Sequence, residues 1–198
     1  MADNENARPG GDPSSQTVEA RASGPDHFMR LALPRSFALD GALLEKAYFA
    51  AQRQFHPDRF ATRPAPERLE ALQQATAINE AYEVLKSLRG RAEHLLALAG
   101  HTVPGGNGTT VSDPALLMEA LEWREALADA EDAAAVDLVR TEARERIDGL
   151  VKDLGSAFDA GDHRRAAALV LSLTYIEKLA DEARRRAATL AQAKRAAS

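Results

Sequence analysis

From Asp26 onward, apolar residues recur every three or four positions, and no convincing two-residue alternation interrupts them. The chain is therefore expected to be all-α. Within that pattern Pro57 is the most informative break. Leu44, Ala47, Tyr48, Ala51 and Phe55 share one side of a helix that starts near Asp40, a good N-cap, and cannot pass the proline. His56, just before the proline, is pushed out of helical geometry. Arg63-Pro64-Ala65-Pro66 closes a loop, and Glu67 and Glu70 favour the start of the next helix through its dipole. There Ala71, Ala75, Ile78, Tyr82 and Leu85 make a stripe that can pack antiparallel against the first. The spacing predicts a helical hairpin with His56-Pro57-Asp58 at its corner. A shorter helix near 27–31 precedes it and is barred from extending by Pro34.

The rest of the chain divides by composition. Residues 1–25 are rich in Gly, Pro, Ser, Asn and Asp and bury too little apolar surface to order themselves, so a disordered tail is expected. Gly90 does not obviously end the structure, because Arg91-Ala92-Glu93-His94-Leu95-Leu96-Ala97-Leu98 resumes a helical pattern. Gly100 and Pro104-Gly105-Gly106-Asn107-Gly108 form the clearest boundary, which sets a first domain with its connecting helix at 26–100 and a linker at 101–112. Beyond it, Pro114 follows Ser112 and Asp113 as a strong helix start. Helices near 113–128, 133–159 and 162–195, the last two separated by Gly161-Asp162, predict a three-helix bundle over 113–195.

Composition narrows the function classes. Cysteine is absent from all 198 residues, which excludes disulfides, thiol chemistry and Cys-based metal sites within this chain. No apolar stretch is long enough to cross a bilayer, and the N-terminal segment lacks the basic start and apolar block of a secretory signal. A cytoplasmic protein without membrane contact is expected. The net charge of −5 argues against nucleic acid as the main partner. His27, His94, His101 and His163 show no ligand spacing, so no metal site is expected, and no Ser–His–acid arrangement can be argued. With no phosphate-cradling glycine loop, the chain is read as a non-enzyme without catalytic residues or a bound cofactor.

The corner has a recognisable setting. Preceded by Ala47-Tyr48 and followed by Ile78-Asn79-Glu80-Ala81-Tyr82-Glu83-Val84-Leu85, it resembles the J-domain of DnaJ-type co-chaperones over residues 26–90. Three segments go further: Gln52 to Phe60, Arg91-Ala92-Glu93-His94-Leu95-Leu96, and Leu117-Met118-Glu119-Ala120-Leu121-Glu122-Trp123-Arg124-Glu125. In that order they resemble the HscB family, co-chaperones of iron–sulfur cluster assembly, over about residues 26–185. The resemblance implies a J-domain joined to a C-terminal three-helix bundle. It also implies docking on an HscA/DnaK-type seventy-kilodalton-class heat-shock chaperone, whose ATPase is stimulated, and delivery of an IscU-type scaffold protein. A general DnaJ-like co-chaperone with a different client would share the corner but not the likeness beyond residue 90.

Residues for each role follow. Lys46, Arg53, Arg59 and Arg63 stand against Asp58 alone between positions 46 and 63, and a compact positive strip suits an acidic patch on a partner. The resemblance implies a chaperone-binding set of His56, Pro57, Asp58, Lys46, Gln52, Arg53 and Arg59. Phe49 and Ala50 depart from the family pattern, standing where general J-domains usually carry more basic residues. The segment 111–160 has the opposite sign, with thirteen acidic side chains against five basic ones. Leu117 and Leu121 share one helix face, and Met118, Glu122 and Glu125 follow an adjoining row. Spacing alone favours bundle core for Leu117, Met118 and Leu121 over an exposed strip. The family resemblance assigns Leu117, Met118, Leu121, Glu122 and Glu125 to scaffold binding and adds Tyr175. Trp123 is expected to pack within the bundle or at the junction, and the Arg184–Arg186 and Lys194–Arg195 clusters to form a solvated end of the last helix.

Overall fold

The computed structural model describes residues 26–103 and 114–196. The tail expected at 1–25, and all but the first three residues of the expected linker, lie outside the described residues. Within them the chain forms eight helices and no strand: α1 (His27–Arg30), α2 (Gly41–Phe55), α3 (Pro57–Phe60), α4 (Ala65–Lys86), α5 (Leu88–Leu98), α6 (Pro114–Asp129), α7 (Ala133–Asp159) and α8 (His163–Ala196). No described helix is long and apolar enough to cross a membrane.

Caps set most boundaries. Asp26 accepts from the Met29 N–H at 3.0 Å, and Asp40 from those of Ala42 and Leu43 at 2.7 and 3.4 Å, filling donors that a helix start leaves orphaned. At the α7–α8 turn Gly161 takes φ +67°, a region that favours glycine. The Asp162 N–H reaches back to the Ala157 carbonyl and the Gly161 N–H to that of Phe158, while Asp162 caps α8 through the Arg165 N–H.

Three local details differ from expectation. The loop after the corner contains the one-turn helix α3, with Pro57 at its first position. Pro66 lies inside the first turn of α4 rather than in the loop, because that turn has no intrahelical use for its N–H. The break before α5 falls at Ser87, which ends α4 and caps α5 through the Gly90 N–H at 3.1 Å. Gly90 is needed there, since a Cβ would sit 2.8 Å from the Val84 carbonyl oxygen.

Two apolar clusters result. The first joins α1, α2 and α4 through Phe28, Leu31, Leu33, Leu44, Ile78, Ala81 and Leu85. The second fills the α6–α7–α8 bundle, and Phe37, Ala92 and Leu96 from the N-terminal half belong to it. Phe37 stacks on Phe158 at 5.3 Å, and half-buried Leu95 packs against both clusters. Helix α5 is thus a wedge between the hairpin and the bundle. Arg91 pins it: almost fully buried, it donates to the carbonyls of Leu85 and Phe37, each at 2.8 Å. Burial disfavours its charged form, but a guanidinium keeps its proton, so these carbonyls carry the compensation. Arg89 adds a surface tie, reaching Glu93 on its own helix and Glu177 on α8 at 3.5 and 3.4 Å. Burial raises the Glu177 carboxyl pKa, opposed by that arginine.

Candidate functional site

The hairpin corner is outside, not in the core. The side chains of His56 and Asp58 are 54% and 90% exposed. Because Pro57 forces His56 into extended backbone, the imidazole can turn back as the N-cap of α3. Its Nδ1 accepts from the Asp58 N–H at 3.3 Å, a geometry in which Nδ1 carries no proton. The Asp58 carboxylate, 3.6 Å from the same nitrogen, is too far for a hydrogen bond and points to solvent. Arg59 curls under the corner and donates to the Arg53 carbonyl at 2.6 Å, while the Arg53 Nε donates to that of Phe49 at 3.3 Å. These bonds fix the turn and satisfy the end of α2.

Behind the corner, Tyr48 stacks on Tyr82 with centroids 4.3 Å apart and donates to Asn79 Oδ1 at 3.0 Å. Gln52 donates to the same amide oxygen and lies 3.3 Å from the Tyr48 hydroxyl. The Ile78–Leu85 segment thus braces α2 from across the hairpin. Tyr48, Phe49, Gln52, Arg53, His56 and Arg59 line an open groove of about 720 Å³. Lys46 is not brought into it. It lies two turns earlier on α2 and lines a smaller groove of about 350 Å³ against Leu31 and Leu33. Among the described residues, none of Lys46, Arg53, Arg59 and Arg63 makes an ion pair, so their charge is open to a partner.

The second surface is on α6. Leu116, Ala120, Trp123 and Leu127 form the inward row, so Trp123 packs within the bundle. That leaves Leu117, Met118 and Leu121 outside, at 39%, 57% and 49% exposure. Glu122 and Glu125 are exposed beside them, whereas neighbouring Glu119 is held by Arg146 of α7 at 3.1 Å. Arg124 pairs with Glu182 at 3.6 Å, and Arg186 donates to the Ala130 carbonyl at 2.8 Å. These ties run α6 parallel to α8 in a register that sets Tyr175, half-buried on the bundle core, level with Leu117 and Met118. Arg186 is therefore a structural tie between helices, not part of a solvated helix end.

The fold also makes pairings that spacing did not reveal. His94 Nε2 accepts from the His27 N–H at 3.3 Å, and the two rings lie 4.3 Å apart. His101 and His163 approach to 4.9 Å. Among the described residues no group of three or more His, Cys, Asp or Glu could hold a metal ion. Arg91 was the other residue missed, although it opens one of the quoted segments; its neighbours Ala92, Leu95 and Leu96 carry the helical apolar signal that marks an inward face.

Comparison with known proteins agrees with this geometry. The family model described as the HSCB C-terminal oligomerisation domain matches residues 112–184. The co-chaperone protein HscB homolog of Burkholderia multivorans is 41% identical over 159 residues, covering 79% of this chain and 90% of that one. Among solved structures, chaperone HscB from Vibrio cholerae matches with a TM-score of 0.74 at 36% identity, covering 84% of this chain and 99% of that one. Human co-chaperone protein HscB matches with a TM-score of 0.79 at 27% identity, covering 91% and 94%. Carrying the braced His56 corner on one side and the half-open α6 face on the other, and similar to these proteins through both halves, the chain belongs to the HscB co-chaperone family.

Proposed function

We propose how this chain, a co-chaperone of iron–sulfur cluster biogenesis, does its work: as an adaptor with two docking faces. The corner of His56, Pro57 and Asp58, with Gln52, Arg53 and Arg59 beside it and Lys46 on its flank, docks on an HscA/DnaK-type chaperone and stimulates its ATP hydrolysis. The apolar strip of Leu117, Met118 and Leu121, edged by Glu122 and Glu125 and level with Tyr175, holds an IscU-type scaffold. Opposite charge on the two faces keeps the partners apart: the basic strip attracts an acidic surface, the acidic edge a basic one.

The observation that carries this reading is that both faces are open at once while a packed junction joins them. Holding two partners on one body raises the concentration of the scaffold at the chaperone without any new contact. The ATPase then fires with cargo in place, in the cytoplasm where ATP is supplied, and the chain needs no catalytic residue or cofactor of its own. The alternative of a general DnaJ-like co-chaperone is not favoured, because the likeness runs through the bundle as well as the corner.

A steady-state ATPase assay with purified HscA-type chaperone, with and without scaffold, tests the adaptor. His56→Gln should lose the stimulation while leaving scaffold affinity and the unfolding midpoint unchanged, because the ring is exposed and caps only one turn of helix. Full stimulation by the folded variant would refute the role of the corner.

A further inference from the structure

Phe49 is not explained by the residues assigned to chaperone docking. Its side chain is 55% exposed in the wall of the groove that contains His56 and Arg53. It belongs to a stripe along α2 in which Lys46, Phe49 and Arg53 follow at three- and four-residue spacing, so a bare ring stands between two unpaired cations. The ring is supported from behind. It lies against Tyr48 at 5.3 Å, and Tyr48 is itself stacked on Tyr82 and bonded to Asn79. Single exposed apolar residues are ordinary on a protein surface. Leu69 and Leu72 of α4 are equally exposed, but they do not line this groove. Phe49 differs in being continuous with the docking corner and held in place before any partner arrives. Aromatic residues are enriched in interfaces, and a pre-placed ring loses little entropy on binding.

We infer that Phe49 is a partner-selecting anchor, the apolar centre of the docking surface. The ATPase that fits it carries an apolar hollow between carboxylates, the complement of a cation–ring–cation stripe. An ATPase whose surface is acidic throughout would leave the ring facing charge and would be discriminated against. This inference rests on the docking role proposed for the corner.

Titration of purified HscA-type chaperone with the full chain separates docking from triggering. Phe49→Ser should raise the concentration needed for half-maximal ATPase stimulation by about tenfold, with the plateau and the unfolding midpoint unchanged. Phe49→Leu, which keeps the apolar contact, should stay within about threefold of wild type. An unchanged half-maximal concentration for Phe49→Ser would overturn the anchor, as would a lowered plateau at unchanged concentration or a Leu variant no better than Ser. If Phe49→Ser behaves as wild type while His56→Gln loses the plateau, only the anchor fails. A wild-type chain that gives no stimulation removes the docking role and the anchor together.

Discussion

The corner around His56 and the outer face of α6 are both exposed and both mix charge with apolar surface, yet they are held by different means. At the corner the bonds that set the turn itself are short-range, Asp58 to His56, Arg59 to Arg53 and Arg53 to Phe49, and only the brace behind it, Tyr48 and Gln52 to Asn79, crosses the hairpin. On α6 nothing local decides which leucines face outward. The choice is made by packing against α7 and α8, through Arg146–Glu119, Arg124–Glu182 and the Arg186–Ala130 bond. A locally built surface can be rewritten residue by residue at little cost to folding. A surface left over from packing tolerates change only on its outer row.

The largest effect expected from this contrast is on stability. Arg91→Ala leaves the buried Leu85 carbonyl without its donor, takes one of two donors from the Phe37 carbonyl (the Leu39 N–H remains) and empties the space of a buried side chain, so a loss of about 3 kcal/mol is expected in urea unfolding. Arg53→Ala at the corner should change stability by less than about 0.5 kcal/mol, its side chain being exposed. Equal losses at the two arginines would erase the distinction between a tertiary clamp and a surface contact.

A second comparison is confined to α6 and divides its inward row from its outward one. Leu116→Ala should cost about 2–5 kcal/mol, because the side chain is 2% exposed and leaves a cavity in the bundle. The double variant Met118→Ser/Leu121→Ser should leave the unfolding midpoint nearly unchanged but weaken scaffold affinity by about 1–3 kcal/mol, read by calorimetry. Scaffold binding that survives the double change moves the interface off this face.

The same contrast explains what could be read from the amino-acid order. The caps at Asp40 and Asp162, the break at Pro57 and the three bundle helices rest on interactions within a few residues, and they are observed within a residue or two of expectation. The corner was legible for the same reason. Leu116–Leu117 and Ala120–Leu121 were not: two adjoining apolar rows fit one helix, and it is packing against α7 and α8 that buries the row of Leu116, Ala120, Trp123 and Leu127. Pro66 was placed outside α4 because a proline reads as a breaker until the first turn is known to start before it. Nothing in the order of residues marked Arg91 as buried, since one of its two acceptors, the Phe37 carbonyl, is brought to it only by the folded junction. The histidine pairing depends on a contact 67 residues apart, beyond any local pattern.

That pairing yields the smallest of the expected effects. His94 is half-buried between α1 and the core, and its pKa is held below the usual imidazole value, chiefly by burial and then by His27; Asp26 pulls it upward, and Arg35 adds to the depression. Asp26 is meanwhile kept ionised below the ordinary carboxylate range, because the Met29 N–H and Arg35 outweigh the upward push of burial. The unfolded chain takes up a proton on His94 near the ordinary pKa of about 6.5, while the folded chain does so only at lower pH. The contribution of the neutral ring is thus complete above that value and is lost as the pH falls through it toward the folded-state pKa. Protonation also removes the Nε2 lone pair that accepts the His27 N–H. Urea midpoints between pH 5 and 8 should therefore fall more steeply with acid for the wild type than for His94→Gln. Parallel curves would mean that α1 is held to α5 by the apolar contacts of Phe28 and Leu95 alone. In that case even this long-range contact would join the hairpin through packing, with no charge-sensitive bond between them.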